Sequence, residues 1–161
     1  MLKTMKIRLL FCLIASALLF YTKNAIAATT YTWNGAATGS WTAAANWSPS
    51  TGYPGSSGST TDIVVINTSN ATISFSGNLT ISKLESTTYG VTGITVNFTG
   101  TTPALAITSG ITMAQPSTAS VVMTFSGTGT ATISGTTYFA YHGAMTISSS
   151  TTVTFNIGQH H

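Results

Sequence analysis

Ile73-Ser74-Phe75-Ser76-Gly77-Asn78-Leu79-Thr80-Ile81 comes back along this chain. Val96-Asn97-Phe98-Thr99-Gly100, followed by Leu105-Ala106-Ile107, is a second copy. Met123-Thr124-Phe125-Ser126-Gly127, followed by Ala131-Thr132-Ile133, is a third, and Val153-Thr154-Phe155 opens a fourth that the chain end cuts short. The interval between phenylalanines widens steadily, from Phe75 to Phe98, then to Phe125, then to Phe155. A drifting repeat within the range of roughly 20–50 residues marks stacked units, each too small to bury its own apolar face.

Within each copy, apolar residues alternate with Thr, Ser or Asn, the period of a strand with one buried face. The inward set predicted on this basis is Ile73, Phe75, Leu79, Ile81, Ile94, Val96, Phe98, Leu105 and Ile107. It continues with Val121, Met123, Phe125, Ile133, Met145, Ile147, Val153 and Phe155. Asp62-Ile63-Val64-Val65-Ile66 reads as the first strand of the array, with Ile63 and Val65 on one face. Gly77, Gly100 and Gly127 follow the Phe strands, where the chain must turn.

From Ala28 onward threonine and serine dominate the composition, and the helix formers Glu, Lys, Leu and Arg are scarce. With Val, Ile, Phe and Tyr, threonine suits a pleated surface, so an all-β protein is expected. Four of the five cations (Lys3, Lys6, Arg8 and Lys23) lie before Ala28, leaving Lys83 against Asp62 and Glu85. One lysine cannot displace counterions from a phosphate backbone, so no nucleic-acid partner is expected, nor can it make a polybasic membrane patch.

The segment 1–27 reads as a secretory signal peptide. Cations precede the apolar run Leu9–Phe20, and Ala25-Ile26-Ala27 places small residues before the cut. The run is shorter than the roughly 20 residues that span a bilayer, so no transmembrane segment is expected after cleavage. Cys12 leaves with the leader, and the exported chain has no cysteine for a disulfide. An extracellular or outer-surface location follows as the expectation.

Residues 28–61 differ from the array. They hold Trp33, Trp41 and Trp47, separated by small residues, and then a Gly/Ser/Pro-rich loop turning at Pro54-Gly55. A single helical turn is allowed over Thr42–Asn46. The segment reads as an N-terminal cap, and residues 62–161 as irregular coils of a truncated array.

Two folds accommodate the repeats. In a parallel β-solenoid each unit is one coil, and Phe75, Phe98, Phe125 and Phe155 form an interior ladder about 4.8 Å apart. In an antiparallel β-sandwich, Gly77-Asn78 is a hairpin turn. The gap from glycine to the next strand grows from Asn78 alone to Thr101–Ala104 in the second copy. A hairpin tolerates that poorly and a solenoid corner tolerates it well, so the solenoid is preferred.

The cap carries a resemblance. Thr32-Trp33-Asn34-Gly35, Gly39-Ser40-Trp41, Ala45-Asn46-Trp47-Ser48-Pro49, Pro54-Gly55 and Asp62-Ile63-Val64-Val65-Ile66 resemble the N-terminal region of bacterial secreted right-handed β-helix surface proteins, adhesin-like and autotransporter-like. The resemblance implies a right-handed coil, a capping role for the segment after the signal peptide, and a structural or adhesive task at a cell surface. It further implies a longer chain of which this is the N-terminal part.

Candidate chemistry is sparse. Asp62 and Glu85 are the only carboxylates after the leader, and their separation equals that of Phe75 and Phe98, the first repeat spacing. Paired carboxylates hydrolyse glycosides. Asp62 is better read as a strand-initiating turn residue and Glu85 as the exposed partner of Lys83. No Gly-x-Ser-x-Gly nucleophile elbow occurs. His142 stands alone beside Tyr138 and Tyr141, and His160-His161 is a terminal pair. No catalytic residue, metal site or cofactor is assigned, because metal sites need three or four converging ligands.

Trp33, Trp41, Trp47 and Tyr53 would bind sugar rings if exposed, which defines the alternative of a carbohydrate-binding module. Aromatics in a cap more often close the apolar end of the stack. The reading is therefore a non-enzymatic surface protein, with glycans or host and matrix surfaces as candidate partners. Its open last coil is a second candidate contact, by self-association.

Overall fold

The computed structural model describes residues 27–88, 91–113, 122–139, 144–148 and 150–156. Residues 1–26, which hold Cys12 and nearly all of the expected leader, and Val121, Tyr141, His142, His160 and His161 lie outside the described residues.

The strands are short and bounded by turns. Ahead of the repeats they are β1 (Thr30–Trp33), β2 (Thr38–Ser40) and β3 (Trp47–Ser48), with one 3-10 turn at Ala44–Asn46 between the last two. Next come β4 (Ile63–Val65), β5 (Ala71–Phe75), β6 (Asn78–Ile81) and β7 (Lys83–Ser86). They are followed by β8 (Gly93–Phe98), β9 (Ala104–Ile107), β10 (Ile111–Met113), β11 (Val122–Gly127) and β12 (Gly129–Ser134). The last are β13 (Tyr138–Phe139), β14 (Ala144–Ile147) and β15 (Thr151–Asn156).

These strands form three separate sheets. Sheet A has the order β13-β10-β7-β4-β1-β3, sheet B β14-β11-β8-β5-β2, and sheet C β15-β12-β9-β6. From β4 onward the chain visits A, B and C in strict rotation. Every described pairing is parallel except β1 with β3. The antiparallel sandwich is thereby excluded. β5 and β6, which would have been its hairpin, lie in different sheets, and Gly77 (φ +91°) turns the chain from one to the other. Gly100 and Gly127 do the same at φ +98° and +86°, as their place in the repeat requires.

The core is made of in-register rows. Sheet A contributes Tyr31, Val64, Leu84 and Ile111, and sheet C contributes Leu79, Leu105 and Ala131 beside Ile81, Ile107 and Ile133. On sheet B, Ile73, Val96 and Phe125 align. Ile63 and Val65 share a face of the first strand, but burial does not follow that face: Val64 and Ile66 are fully buried, Val65 is buried as well and Ile63 half-buried. Four consecutive apolar residues there offer no alternation to read.

The phenylalanine ladder also departs from expectation. Phe75 aligns with Phe98, but Phe125 aligns with Val96, so the third copy is shifted by two residues. A shift of two keeps every side chain on its face. The room is provided by Gly127 and Gly129: a Cβ on Gly129 would lie 2.5 Å from the Phe98 ring. Phe98 and Phe125 then meet diagonally, with centroids 6.3 Å apart against 5.0 Å for Phe75 and Phe98. Phe155 is not a fourth rung. It aligns with Ile133 in sheet C and is 43% exposed.

Candidate functional site

The three tryptophans are interior. Trp33, Trp41 and Trp47 are 3%, 0% and 1% exposed, and Tyr53 is partly buried against the same core. Trp33 and Trp41 each meet Trp47 edge-on, at 5.0 and 5.2 Å, and Trp41 continues to Phe75 at 5.8 Å. Each indole N–H finds a backbone carbonyl nearby. Trp33 Nε1 donates to Ala36, Trp41 Nε1 to Pro54 at 3.0 Å, and Trp47 Nε1 to Trp41 at 2.6 Å. Exposure was the condition for sugar stacking, and, while Tyr53 is half-buried, the three indoles do not meet it. They seal the first rung, where the interior would otherwise face water.

The two carboxylates do not converge. Asp62 is 2% exposed, and its Oδ2 accepts the Gly55 N–H at 2.9 Å, which ties the loop 53–58 to the start of β4. Glu85 aligns with Val65, on the outward side of sheet A, and pairs with Lys83 on its own strand. Their matching of the repeat spacing does not bring the acids together, because sheet A steps by a shorter interval here, from Val64 to Leu84. Among the described residues no cluster of three metal-ligating side chains occurs.

Two surface features remain. The first is a hydroxyl-lined groove of about 260 Å³ where the turns from sheet B to sheet C stack in three successive repeats. Thr101, Thr102 and Pro103 come from the first turn, Thr128 from the second with Gly129 and Thr130 at the start of β12, and Ser150 from the third with Thr152 on β15. With no titratable side chain in its lining, the groove has no acid or base to offer. It offers hydroxyl donors and acceptors to a neutral polar ligand.

The second feature is the far end of the stack. β13, β14 and β15 are the outermost strands of the three sheets on the same side, and Tyr138, Ile147 and Phe155 on them are 57%, 43% and 43% exposed. At the opposite end, β3 closes sheet A antiparallel, and the loop 53–58 runs along β6, with Gly55 against the Thr80 carbonyl. Among the described residues the molecule therefore has one closed end and one open end. The alternation of the sequence marked the open end only loosely, since Met145, Ile147, Val153 and Phe155 fit the inward pattern but have no further described rung to cover them.

No helix among the described residues is long and apolar enough to cross a membrane. Compared with protein-family models, curated proteins and solved structures, the chain matches none.

Proposed function

We propose that this protein is an exported, non-enzymatic right-handed β-solenoid, the N-terminal part of a longer adhesin-like chain with a structural or adhesive task at a bacterial surface. The observation that carries the reading is the contrast between the two ends. One is sealed by three buried tryptophans and an antiparallel strand. The other presents three parallel edge strands and exposed Tyr138, Ile147 and Phe155. Edge strands of this kind recruit further strands. In the native setting further coils do so; in an isolated chain another copy does.

The rotation of the strands through sheets A, B and C supports a helical winding. The right hand is supported by the general rule that about 98% of parallel crossovers within a sheet take it. A non-enzymatic role is supported by what the acids do: Asp62 holds a loop and Glu85 holds Lys83. Adhesion would use the stacked hydroxyls of the corner groove in weak, repeated contacts. The carbohydrate-binding alternative would have to work without the tryptophans.

Intact mass of the native protein from its producing cells tests the reading. A mass well above that of residues 28–161, with the same N-terminus, is the expected result. A mass equal to residues 28–161, together with monomeric sedimentation at high concentration, would overturn it.

A further inference from the structure

Sheet B has an outer face unlike the other two. Thr38, Thr72, Thr95, Thr124 and Thr146 stand in register on β2, β5, β8, β11 and β14, an unbroken rank of five. Two residues along each strand, Ser40, Ser74, Asn97 and Ser126 form a second rank. Three of the second rank are tied together, since Asn97 Nδ2 donates to Ser74 Oγ and Ser126 Oγ donates to Asn97 Oδ1, both at 3.1 Å, while the Ser40 hydroxyl meets that of Thr42. The threonine hydroxyls have no protein partner among the described residues. All five threonines are exposed or half-buried, and no charged residue lies on these strands.

Threonine abundance alone does not produce this. On sheet C, Ala104 and Ala106 interrupt the corresponding rows between Asn78 and Thr130 and between Thr80 and Thr132. On sheet A the outward residues include Ile63, Val65, Lys83 and Glu85.

We propose that the outer face of sheet B is a lattice-binding surface whose ligand is ice. Strand spacing sets the hydroxyl repeat at about 4.8 Å along a rank, and the pleat sets it at about 6.6 Å between ranks. A flexible glycan does not present a two-dimensional repeat of that kind, and a crystalline solid does. Crystalline polysaccharides are gripped by stacked aromatic rings, and this face has none. On the prism face of hexagonal ice the shorter oxygen repeat is close to the spacing along a rank, and the longer one is somewhat wider than the spacing between ranks. A threonine hydroxyl can take an oxygen position in such a lattice while its methyl fills the adjoining gap. The serine and asparagine bonds hold the neighbouring rank still, so the array is ordered before it meets the ice. Absence of charge matters as well, because an ion would keep its own water.

The inference goes beyond the structural and adhesive reading and does not depend on growth at the open end. Its test is adsorption of the fluorescently labelled protein to a growing ice surface, with freezing hysteresis measured alongside. Variants would be Thr95→Lys and Thr95→Val at the centre of the rank, and Thr132→Lys on sheet C as the control. Circular dichroism would establish that each is folded. The parent and Thr132→Lys should adsorb, and both Thr95 variants should lose about tenfold in adsorption, because contacts along a rank act together. Exclusion of the parent from ice would overturn the proposal. So would equal loss in Thr132→Lys, or binding to powdered cellulose or chitin through Thr95 without binding to ice.

Discussion

Two glycines with the same role in the repeat differ in what surrounds them. Gly77 (φ +91°) has open space where a Cβ would point, whereas at Gly127 (φ +86°) a Cβ would lie 2.0 Å from the Phe98 carbonyl oxygen. Gly77→Ala should therefore cost only the backbone strain of a positive φ, about 1–2 kcal/mol. Gly127→Ala should cost that and a collision with backbone that cannot move aside, about 4 kcal/mol or more. Urea denaturation of the two variants checks the difference, and equal losses would refute the two-residue register shift that presses Gly127 against Phe98. The sequence marks both glycines as turns. It does not separate them, because the distinction lies in the next strand over.

At the scale of the element, the cap depends on indole hydrogen bonds as much as on ring packing. Trp41→Phe keeps an aromatic ring against Trp47 and Phe75 but removes the N–H that reaches Pro54. The buried carbonyl then loses its partner, and stability should fall by about 1–3 kcal/mol. The loop 53–58 should become more open to proteolysis, with sheet-B amides near Phe125 keeping their hydrogen-exchange protection. Limited proteolysis with mass analysis reads out the first effect and amide exchange the second. The contrast between residues 28–61 and the repeats was legible in the sequence because tryptophan, glycine and proline cluster there and the repeat is absent. Two strands of each repeat were legible as well, those of sheets B and C, because their alternation is clean. The third was not. β7 reads Lys83-Leu84-Glu85-Ser86, a charged pair around one buried leucine, and β10 is only Ile111–Met113. Segments this short do not let a period declare itself.

For the whole molecule, the unequal ends limit what association can do. Copies that join through β13, β14 and β15 can only meet end to end, open face to open face, because the opposite end is closed. Such a contact uses the same patch on both partners and stops at the dimer. The isolated chain should sediment as monomer and dimer, without filaments. Replacing Phe155 and Ile147 together by lysine should shift it to monomer by placing like charges across the joint. Sedimentation velocity over a range of concentrations measures this, and fibre growth by either protein would contradict the closed-end assignment.

Period, composition and the glycine positions were enough to determine an all-β chain with a repeating strand pattern, because strand alternation and turn chemistry are local properties. They did not determine which strand pairs with which. That a third sheet exists, that Phe125 slides two places and Phe155 leaves the ladder, and that the tryptophans face inward are settled by contacts between residues a full repeat apart. The same holds for Asp62 and Glu85. Their spacing in sequence matched one repeat, but sheets A and B step by different amounts through the same chain: Val64 meets Leu84, whereas Ile73 meets Val96. Turn lengths differ at each corner, so only packing in three dimensions sets the register that brings side chains together or keeps them apart.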